Sequence, residues 1–383
     1  MKKKINHILP ALVLTASLGL TTVSCNGFLD EMPDNRTELN TDQKIAKLLV
    51  SAYADVSPNE LFELYSDNSD DSGPTYGYYK LSEQECYHWQ DTKEEYQDTP
   101  NSLWGGYYSA IAAANMALNA IEEKGNPASL DPQRGEALVC RAYCHFMLAN
   151  IFCNAYDTHA SQSLGVPYME EVETTVSPRY ERGTLEEVYR KVERDLLEGI
   201  GLISDDSYSV PKYHFTRKAA YAFAARFYLY YMKPDFSNCD RVIDFATRVL
   251  GTNPADLLRN WEALGNLSVN GNVQADAYIA SSNEANLLIS STISNWGAIG
   301  SDYLIGPRYF HNQTLATSET CLSSGLWGSS DYFYLKPFST NGFVASILRK
   351  SGLYEGTYLY YMPVLFSTDE TLLCRAEAYA LKK

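Results

Sequence analysis

The long segment "DPQRGEALVCRAYCHFMLANIF", which starts at Asp131, is apolar on most sides when it is drawn as an α-helix. Other parts of the chain must surround such a helix, because water would otherwise contact its apolar faces. Asp131 and Pro132 suit its beginning, since a carboxylate can cap the first turn and proline loses no hydrogen bond there. We therefore predict a deeply buried helix that is capped by Asp131 and ends near Asn154.

Helical signals also mark segments on both sides of this buried helix. Apolar residues recur in them at helical spacing, and capping residues stand at their starts. The predicted helices are 42–53, capped by Thr41; 102–123; 185–200, with a capping box of Thr184 and Glu187; two helices within 216–250; and 367–383, with a capping box of Ser367 and Glu370. The pair from Thr216 to Leu250 has nearly the length of a tetratricopeptide repeat, about 34 residues.

The pattern changes between residues 254 and 366. Asn, Ser, Gly and aromatic residues alternate there without sustained helical periodicity, as in "SNWGAIGSDYLIGPRYFHN". We interpret this segment as long irregular loops with short strands. The predicted fold class is therefore all-α: a tetratricopeptide-like helical repeat scaffold with long irregular loops and minor short strands.

The last predicted helix has an apolar face formed by Leu372, Leu373, Ala376 and Tyr379. A single helical unit cannot bury such a face by itself and needs a neighbour. Either the helix docks on earlier helices, or the chain is a shortened version of a longer protein. We favour the second explanation.

The first 24 residues have the features of a secretory signal peptide. Lys2, Lys3 and Lys4 precede an apolar run from Ile8 to Leu20, and small residues follow that run. The run is shorter than the roughly 20 residues that a membrane-spanning helix needs. We therefore predict that residues 1–24 are removed during secretion.

Val23 and Ser24 stand directly before Cys25, as in the lipobox of bacterial lipoproteins, although Thr22 replaces the usual leucine. In a lipoprotein this thiol is acylated, and each buried CH₂ of an acyl chain contributes about 0.8 kcal/mol of anchoring. Residues 25–40 carry acidic residues without apolar periodicity, as a tether would. We predict that Cys25 is a lipid anchor; the alternative is an ordinary signal peptide that ends beside a cysteine.

Composition argues against several kinds of partner and site. Lys and Arg number 31 against 47 Asp and Glu, and the net charge of −16 disfavours a nucleic-acid ligand. Of the eight cysteines, seven remain after Cys25, and an odd number does not form a fully paired disulfide framework. Cys140, Cys144 and His145 lack a complete zinc-site spacing, so we expect them in the core and predict neither a metal nor a cofactor.

The acidic stretch "YSDNSDDSG" at 65–73 contains Asp67, Asp70 and Asp71 and raises the question of calcium. It fails as an EF-hand loop, because glycine is not at the sixth position and Tyr78 stands where the final glutamate belongs. We therefore interpret this stretch as a solvated turn.

No catalytic signature is found in the sequence: GxSxG, HExxH, the P-loop and the dinucleotide fingerprint are all missing. We predict that the protein is not an enzyme. Two alternatives stay open. A secreted helical glycoside hydrolase needs only two suitably separated carboxylates, and a repeat scaffold could instead bind protein partners.

Six blocks of sequence, in the expected order, resemble the SusD/RagB-like outer-membrane lipoproteins of Bacteroidetes. The blocks are "CNGFLDEMPDNRTEL", "LWGGYYSAIAAANMALNAIEE", "GEALVCRAYCHFMLANIF", "PRYERGTLEEVYRKVERDL", "FTRKAAYAFAARFYLYY" and "LLCRAEAYA". Each block alone is weak, whereas six in order are specific, and they extend from Cys25 to the C-terminus. Family members usually continue well beyond the last block, so we expect this chain to be incomplete at its C-terminus.

The resemblance implies a SusD-like helical domain over residues 41–383, with 254–366 as the candidate ligand-binding segment. It also implies a non-enzymatic lipoprotein on the surface of the cell outer membrane. Such a protein captures glycans for import and has a SusC-like TonB-dependent transporter as its partner. A peptide ligand is the alternative within the family.

Glycan capture without catalysis needs aromatic faces for the C–H groups of a sugar and polar side chains for its hydroxyls. Loop aromatic residues near Asn295, Asp302, Arg308 and Asn312 meet this requirement. The candidate ligand-binding residues are Trp89, Trp296, Tyr303, Tyr309, Trp327, Tyr332 and Tyr334. The alternative is that these rings only pin the loops to the helices.

Overall fold

The computed structural model of the chain describes residues 39–67, 69–75, 80–95, 97–175, 178–267, 273–294, 308–310, 347–351 and 357–383. Apart from Leu39, these residues belong to one compact unit, Asn40–Lys383. The predicted signal peptide, Cys25 and most of the predicted tether lie outside them. Within the described ranges, no helix combines the length and the hydropathy that a membrane crossing requires.

Helices make up most of the described structure, which confirms the all-α class. In chain order they are α1 (Asp42–Leu48), α2 (Asn59–Leu64), α3 (Leu81–Tyr87), α4 (Pro100–Glu123), α5 (Asp131–Phe152), α6 (Leu185–Leu202), α7 (Arg217–Tyr230), α8 (Cys239–Leu250), α9 (Trp261–Gly265), α10 (Val273–Ile279) and α11 (Thr368–Leu381). A 3₁₀ turn, Leu49–Ala52, extends α1.

Short antiparallel strands join segments that are far apart in the sequence. They are β1 (Asp70–Asp71), β2 (Asn286–Ile289), β3 (Thr292–Ile293), β4 (Tyr309–Phe310), β5 (Ile347–Ser351), β6 (Thr357–Tyr361) and β7 (Val364–Ser367). β1 pairs with β4, β2 pairs with β7, and β6 lies between β3 and β5. The short strands predicted within 254–366 are therefore present, together with two short helices, α9 and α10, that the sequence pattern did not predict.

Helix α5 is the centre of the core, as its apolar sides predict. Every residue from Gly135 to Ala149 is buried, and α4 and α6 pack along it. The helix ends at Phe152, two residues before the predicted end at Asn154. The prediction that Asp131 caps it is wrong, because Leu130 occupies the N-cap and Asp131 is already helical.

The capping box predicted for α6 is confirmed. The hydroxyl of Thr184 accepts from the Glu187 N–H at 3.2 Å, and the Glu187 carboxylate accepts from the Thr184 N–H at 2.9 Å. The box predicted for α11 forms only in part. Ser367 accepts from the Glu370 N–H at 3.2 Å, whereas the Glu370 carboxylate accepts from Arg226 Nε and Nη2 at 2.5 and 2.6 Å.

Helix α11 docks on α7 and α8. It buries Thr371, Cys374 and Ala378 there, whose small side chains permit a close approach between helices. The predicted apolar face points elsewhere: Leu373 and Tyr379 are 68% and 53% exposed. Helix α11 therefore has the neighbouring helices that a single unit needs. The prediction that its apolar face makes this contact is wrong, because the face with Thr371, Cys374 and Ala378 makes it.

A buried polar network links three of the sequence blocks that carry the family resemblance. Arg141 on α5 donates from Nε to Asp195 Oδ2 on α6 at 2.6 Å and from Nη1 to Asn115 Oδ1 on α4 at 3.0 Å. The hydroxyl of Tyr168 donates to the same Asp195 oxygen at 2.7 Å. Because buried polar groups need such partners, these residues fix the packing of α4, α5 and α6.

Cys140, Cys144 and His145 lie in the core, as expected. His145 Nε2 accepts from the Met169 N–H at 2.9 Å, so its Nδ1 carries the proton and donates to the Arg141 carbonyl, also at 2.9 Å. Burial lowers the pKa of His145 to about 3, and the ring is therefore neutral. The six described cysteines are all unpaired thiols.

Candidate ligand-binding surface

Trp89 lies in the turn that ends helix α3. Its N–H donates to the Cys86 carbonyl at 2.9 Å, and the Gln90 N–H donates to the Glu85 carbonyl at 2.8 Å. These two bonds form a Schellman motif, in which the residue after the helix takes a left-handed conformation. Trp89 occupies that position, with φ of 55°.

Helix α4 ends in the same motif with a glycine at the equivalent position. The Gly125 N–H donates to Glu122 at 2.8 Å and the Asn126 N–H donates to Ile121 at 3.0 Å, and φ of Gly125 is 81°. Glycine adopts this conformation freely, whereas a residue with a Cβ pays about 1–2 kcal/mol. Trp89 therefore holds a strained conformation, and strain of this kind clusters at ligand-binding sites.

The Trp89 ring packs against Tyr65, which follows helix α2. The two ring centroids are 4.8 Å apart, with 39° between the planes. Trp89 is nevertheless 74% exposed, the highest value among the large hydrophobic residues that the structure describes. Tyr65 thus supports an indole ring that remains open to solvent.

Tyr309 reaches the same region through the pairing of β4 with β1, in which it stands opposite Asp71. Its ring centroid is 4.8 Å from that of Tyr87 and 6.1 Å from that of His88. Tyr309 is only 4% exposed, so it packs beneath the exposed rings. We refer to these five residues as the aromatic platform: Tyr65, Tyr87, His88, Trp89 and Tyr309.

An ion pair fixes the same strand pairing. Arg308 donates from Nε and Nη2 to the two carboxylate oxygens of Asp71 at 2.6 and 2.7 Å. Hydrogen bonding to Arg308 lowers the pKa of Asp71, which therefore stays ionised. The guanidinium also lies 5.1 Å from the Tyr309 ring centroid. Asp71 lies in the stretch that the sequence predicts to be a solvated turn, and in the folded structure it has Arg308 as an ion-pair partner.

Buried carboxylates lie on α2 and α3, the two helices that lead into Tyr65 and Trp89. Lys80 Nζ is 3.3 Å from Glu60 Oε1 and 3.7 Å from Glu83 Oε1, and all three side chains are mostly buried. Burial, followed by the charge of Asp98, raises the pKa of Glu60 well above its usual value. The described residues contain no group of three His, Cys, Asp or Glu placed to hold a metal ion.

The structure brings Trp89 and Tyr309, two of the predicted ligand-binding residues, into one region of the surface. Only Trp89 presents its ring to solvent. The other predicted site residues lie outside the described ranges: Cys25, Trp296, Tyr303, Trp327, Tyr332 and Tyr334. Their assignments stay predictions.

The sequence pattern did not predict that Tyr65, Tyr87 and His88 belong to this surface. The run Tyr87-His88-Trp89 was an available signal, because it concentrates three rings in one short stretch and an exposed apolar patch is informative. Tyr65 gave no comparable signal. Its contact with Trp89 depends on how α2 and α3 pack together.

A family model described as "Starch-binding associating with outer membrane" matches residues 27–229, which is more than half of the 383-residue chain. The chain belongs to this SusD-like family. A comparison with curated proteins found no match.

Solved structures of SusD-like proteins have the same fold. A SusD superfamily protein from Bacteroides fragilis is 17% identical with a TM-score of 0.61, over 89% of this chain and 76% of that one. A SusD-like carbohydrate-binding protein from Bacteroides vulgatus is 14% identical with a TM-score of 0.59, over 88% and 71%. A SusD superfamily protein from Bacteroides thetaiotaomicron is 15% identical with a TM-score of 0.56, over 88% and 75%. At these identities the likeness concerns the fold.

Proposed function

We propose that this SusD-like protein is a non-catalytic lipoprotein of the outer membrane that captures glycans on the aromatic platform. It passes them to a SusC-like TonB-dependent transporter. Support comes from the starch-binding description of the family and from the chemistry of the platform.

The observation that carries this proposal is the conformation and exposure of Trp89. A ring that is 74% exposed contributes little to the core, and its φ of 55° opposes folding. A flat aromatic face is, in contrast, the group that binds the C–H face of a sugar ring. Sugar binding therefore explains why a tryptophan occupies this exposed and strained position, whereas packing in the core does not explain it.

The other platform residues have supporting and polar roles in this proposal. Tyr65 holds the Trp89 ring from one side, and Tyr309 is too buried to stack on a ligand, so we assign it to support. His88 is exposed and offers a polar group for a sugar hydroxyl.

Native affinity electrophoresis in gels that contain amylopectin tests the proposal, because the family description names starch. We expect retardation of the wild-type protein and at least a tenfold loss of affinity in Trp89→Ala. Trp261→Ala removes another exposed tryptophan, 48% exposed on α9, and is the matched control.

Three outcomes would contradict the proposal. Equal retardation of Trp89→Ala and wild type over a panel of retained glycans removes the platform from the binding site. Release of reducing sugar by purified protein favours the glycoside hydrolase alternative. Binding of peptides with no glycan retained favours the peptide alternative.

A further inference from the structure

A cavity of about 300 Å³ lies inside the fold, between the helices and the strand pair β2–β7. Its walls include Tyr107 from α4, Tyr143 from α5, Arg226 from α7 and Ser290 beside β2. We call it the Tyr107 cavity. Phe62 of α2 also lines it and is 41% exposed, so the cavity reaches the surface beside this ring.

The hydroxyl of Tyr107 is one of the polar groups of the cavity. Tyr107 is 2% exposed, and its hydroxyl has no hydrogen-bond partner among the described residues. The neighbouring Tyr53 differs, because its hydroxyl donates to Glu136 at 2.6 Å and accepts from the Phe215 N–H at 2.7 Å. A hydroxyl that lines a cavity without a protein partner offers a ligand both a donor and an acceptor.

The charge inside the cavity is balanced. The Arg226 guanidinium donates to both carboxylate oxygens of Glu370, at 2.5 and 2.6 Å, and to the Leu365 carbonyl. An anionic ligand would compete with Glu370 for this group, and a cationic ligand would meet the guanidinium. A neutral ligand avoids both costs.

The size and the walls restrict the ligand further. A volume of about 300 Å³ is at the lower end of the usual range for ligand pockets, and it holds roughly ten water-sized groups. The aromatic residues Tyr53, Tyr107, Tyr143 and Phe215 line this space, and Ser290 adds a hydroxyl-bearing side chain to the lining. A single sugar ring has this combination of apolar C–H faces and hydroxyl groups.

We propose that the Tyr107 cavity binds one neutral sugar ring. This site is separate from the platform, and a monosaccharide can fill it without contact to Trp89. The platform proposal can therefore fail while this one holds, and the reverse is equally possible.

Saturation-transfer NMR and calorimetry on the mature full chain test this site, with glucose, galactose and mannose as neutral probes and glucuronate as the charged probe. We expect at least one hexose to bind and glucuronate not to bind. Tyr107→Phe should weaken hexose binding about three- to tenfold, since it removes one hydrogen bond and keeps the ring. Tyr230→Phe, at a residue that is 51% exposed, should leave the affinity unchanged.

A second pair of variants separates the cavity from the platform and guards against misfolding. Trp89→Ala should retain full hexose affinity. If Tyr107→Phe does not fold, Ser290→Ala removes another hydroxyl of the wall and should weaken binding in the same way. The proposal is overturned if no hexose binds, if the hydroxyl variants bind as tightly as wild type, if glucuronate binds equally well, or if Trp89→Ala abolishes hexose binding.

Discussion

Gly135 on α5 and Gly199 on α6 face each other so closely that neither position has room for a Cβ atom. A Cβ at Gly199 would lie 2.7 Å from the Gly135 carbonyl oxygen, and a Cβ at Gly135 would lie 2.8 Å from the Gly199 carbonyl oxygen. The obstacle in each case is backbone, which cannot rotate away as a side chain can. The two helices therefore pack at a distance that only glycine allows.

We expect Gly199→Ala to lower the free energy of unfolding by about 1–3 kcal/mol, because the methyl group forces α5 and α6 apart. Gly201→Ala is the control on the same helix. A Cβ there meets nothing within 4 Å, so the better helix propensity of alanine should raise stability by about 0.5–1 kcal/mol. Urea denaturation measures both, and equal effects of the two substitutions would contradict the close approach.

The helical framework could be predicted because its signals are local. Thr184 and Thr216 cap their helices through bonds to residues three positions ahead, so a short window of sequence contains the whole interaction. Helices α2 and α3 were missed because six or seven residues are too few for a periodic pattern. The capping role of Asp131 failed for a different reason, since the 3₁₀ turn Ala128–Leu130 begins the helical path earlier.

The candidate site could be predicted only in part, because its contacts are not local. Trp89 stood out as a tryptophan in a predicted loop. Its support by Tyr65 and the pairing of Asp71 with Arg308 both depend on the packing of the folded chain. The second pair is 237 positions apart in the sequence. No window around Asp71 contains that information, so the local sequence predicts only a solvated turn for its carboxylate.

The buried ion pair of Arg141 and Asp195 predicts a large effect on stability. We expect Asp195→Leu to destabilise the fold by about 3–5 kcal/mol, since Arg141 would keep a buried charge without its partner. The double variant Arg141→Met/Asp195→Leu should recover part of this loss, because no unpaired charge remains. A double-mutant cycle by chemical denaturation measures the coupling, and strictly additive effects would argue against a direct pair.

Glu60 predicts a dependence of stability on pH. Burial and Asp98 raise its pKa in the folded state above the ordinary value of 4.5, with Lys80 as the nearest opposing charge. Above about pH 4.5 the unfolded chain loses this proton first, so the stability contributed by protonated Glu60 is lost as pH rises through the folded pKa. Glu60→Gln removes the titration. The free energy of unfolding of Glu60→Gln minus that of wild type should therefore be larger at pH 8 than at pH 5.

Urea denaturation at several pH values between 5 and 8 tests this sign. Glu377→Gln replaces an exposed carboxylate in the same way and reports the effect of the substitution itself. A stability difference between Glu60→Gln and wild type that stays constant over this range would rule out a raised pKa for Glu60.

The proposed acylation of Cys25 predicts that the protein is found in the membrane fraction of the cell. An acylated thiol holds the mature chain through buried methylene groups, at about 0.8 kcal/mol for each CH₂. Cys25→Ala should therefore move the protein from the membrane fraction to the soluble fraction, while Cys153→Ala should leave it in place. Retention of Cys25→Ala in the washed membrane fraction would show that the anchor lies elsewhere.

The strained turn at Trp89 allows stability and ligand binding to be separated at a single position. Trp89→Ala and Trp89→Gly both remove the ring, so both should lose glycan binding. Only glycine relieves the left-handed conformation, and Trp89→Gly should be about 1 kcal/mol more stable than Trp89→Ala. Gly125→Ala supplies the calibration, because φ there is +81° and a Cβ meets nothing within 4 Å, so its loss of stability reports the backbone cost alone. If Trp89→Gly binds glycans as tightly as wild type, or if the glycine and alanine variants are equally stable, then Trp89 is not a strained binding residue.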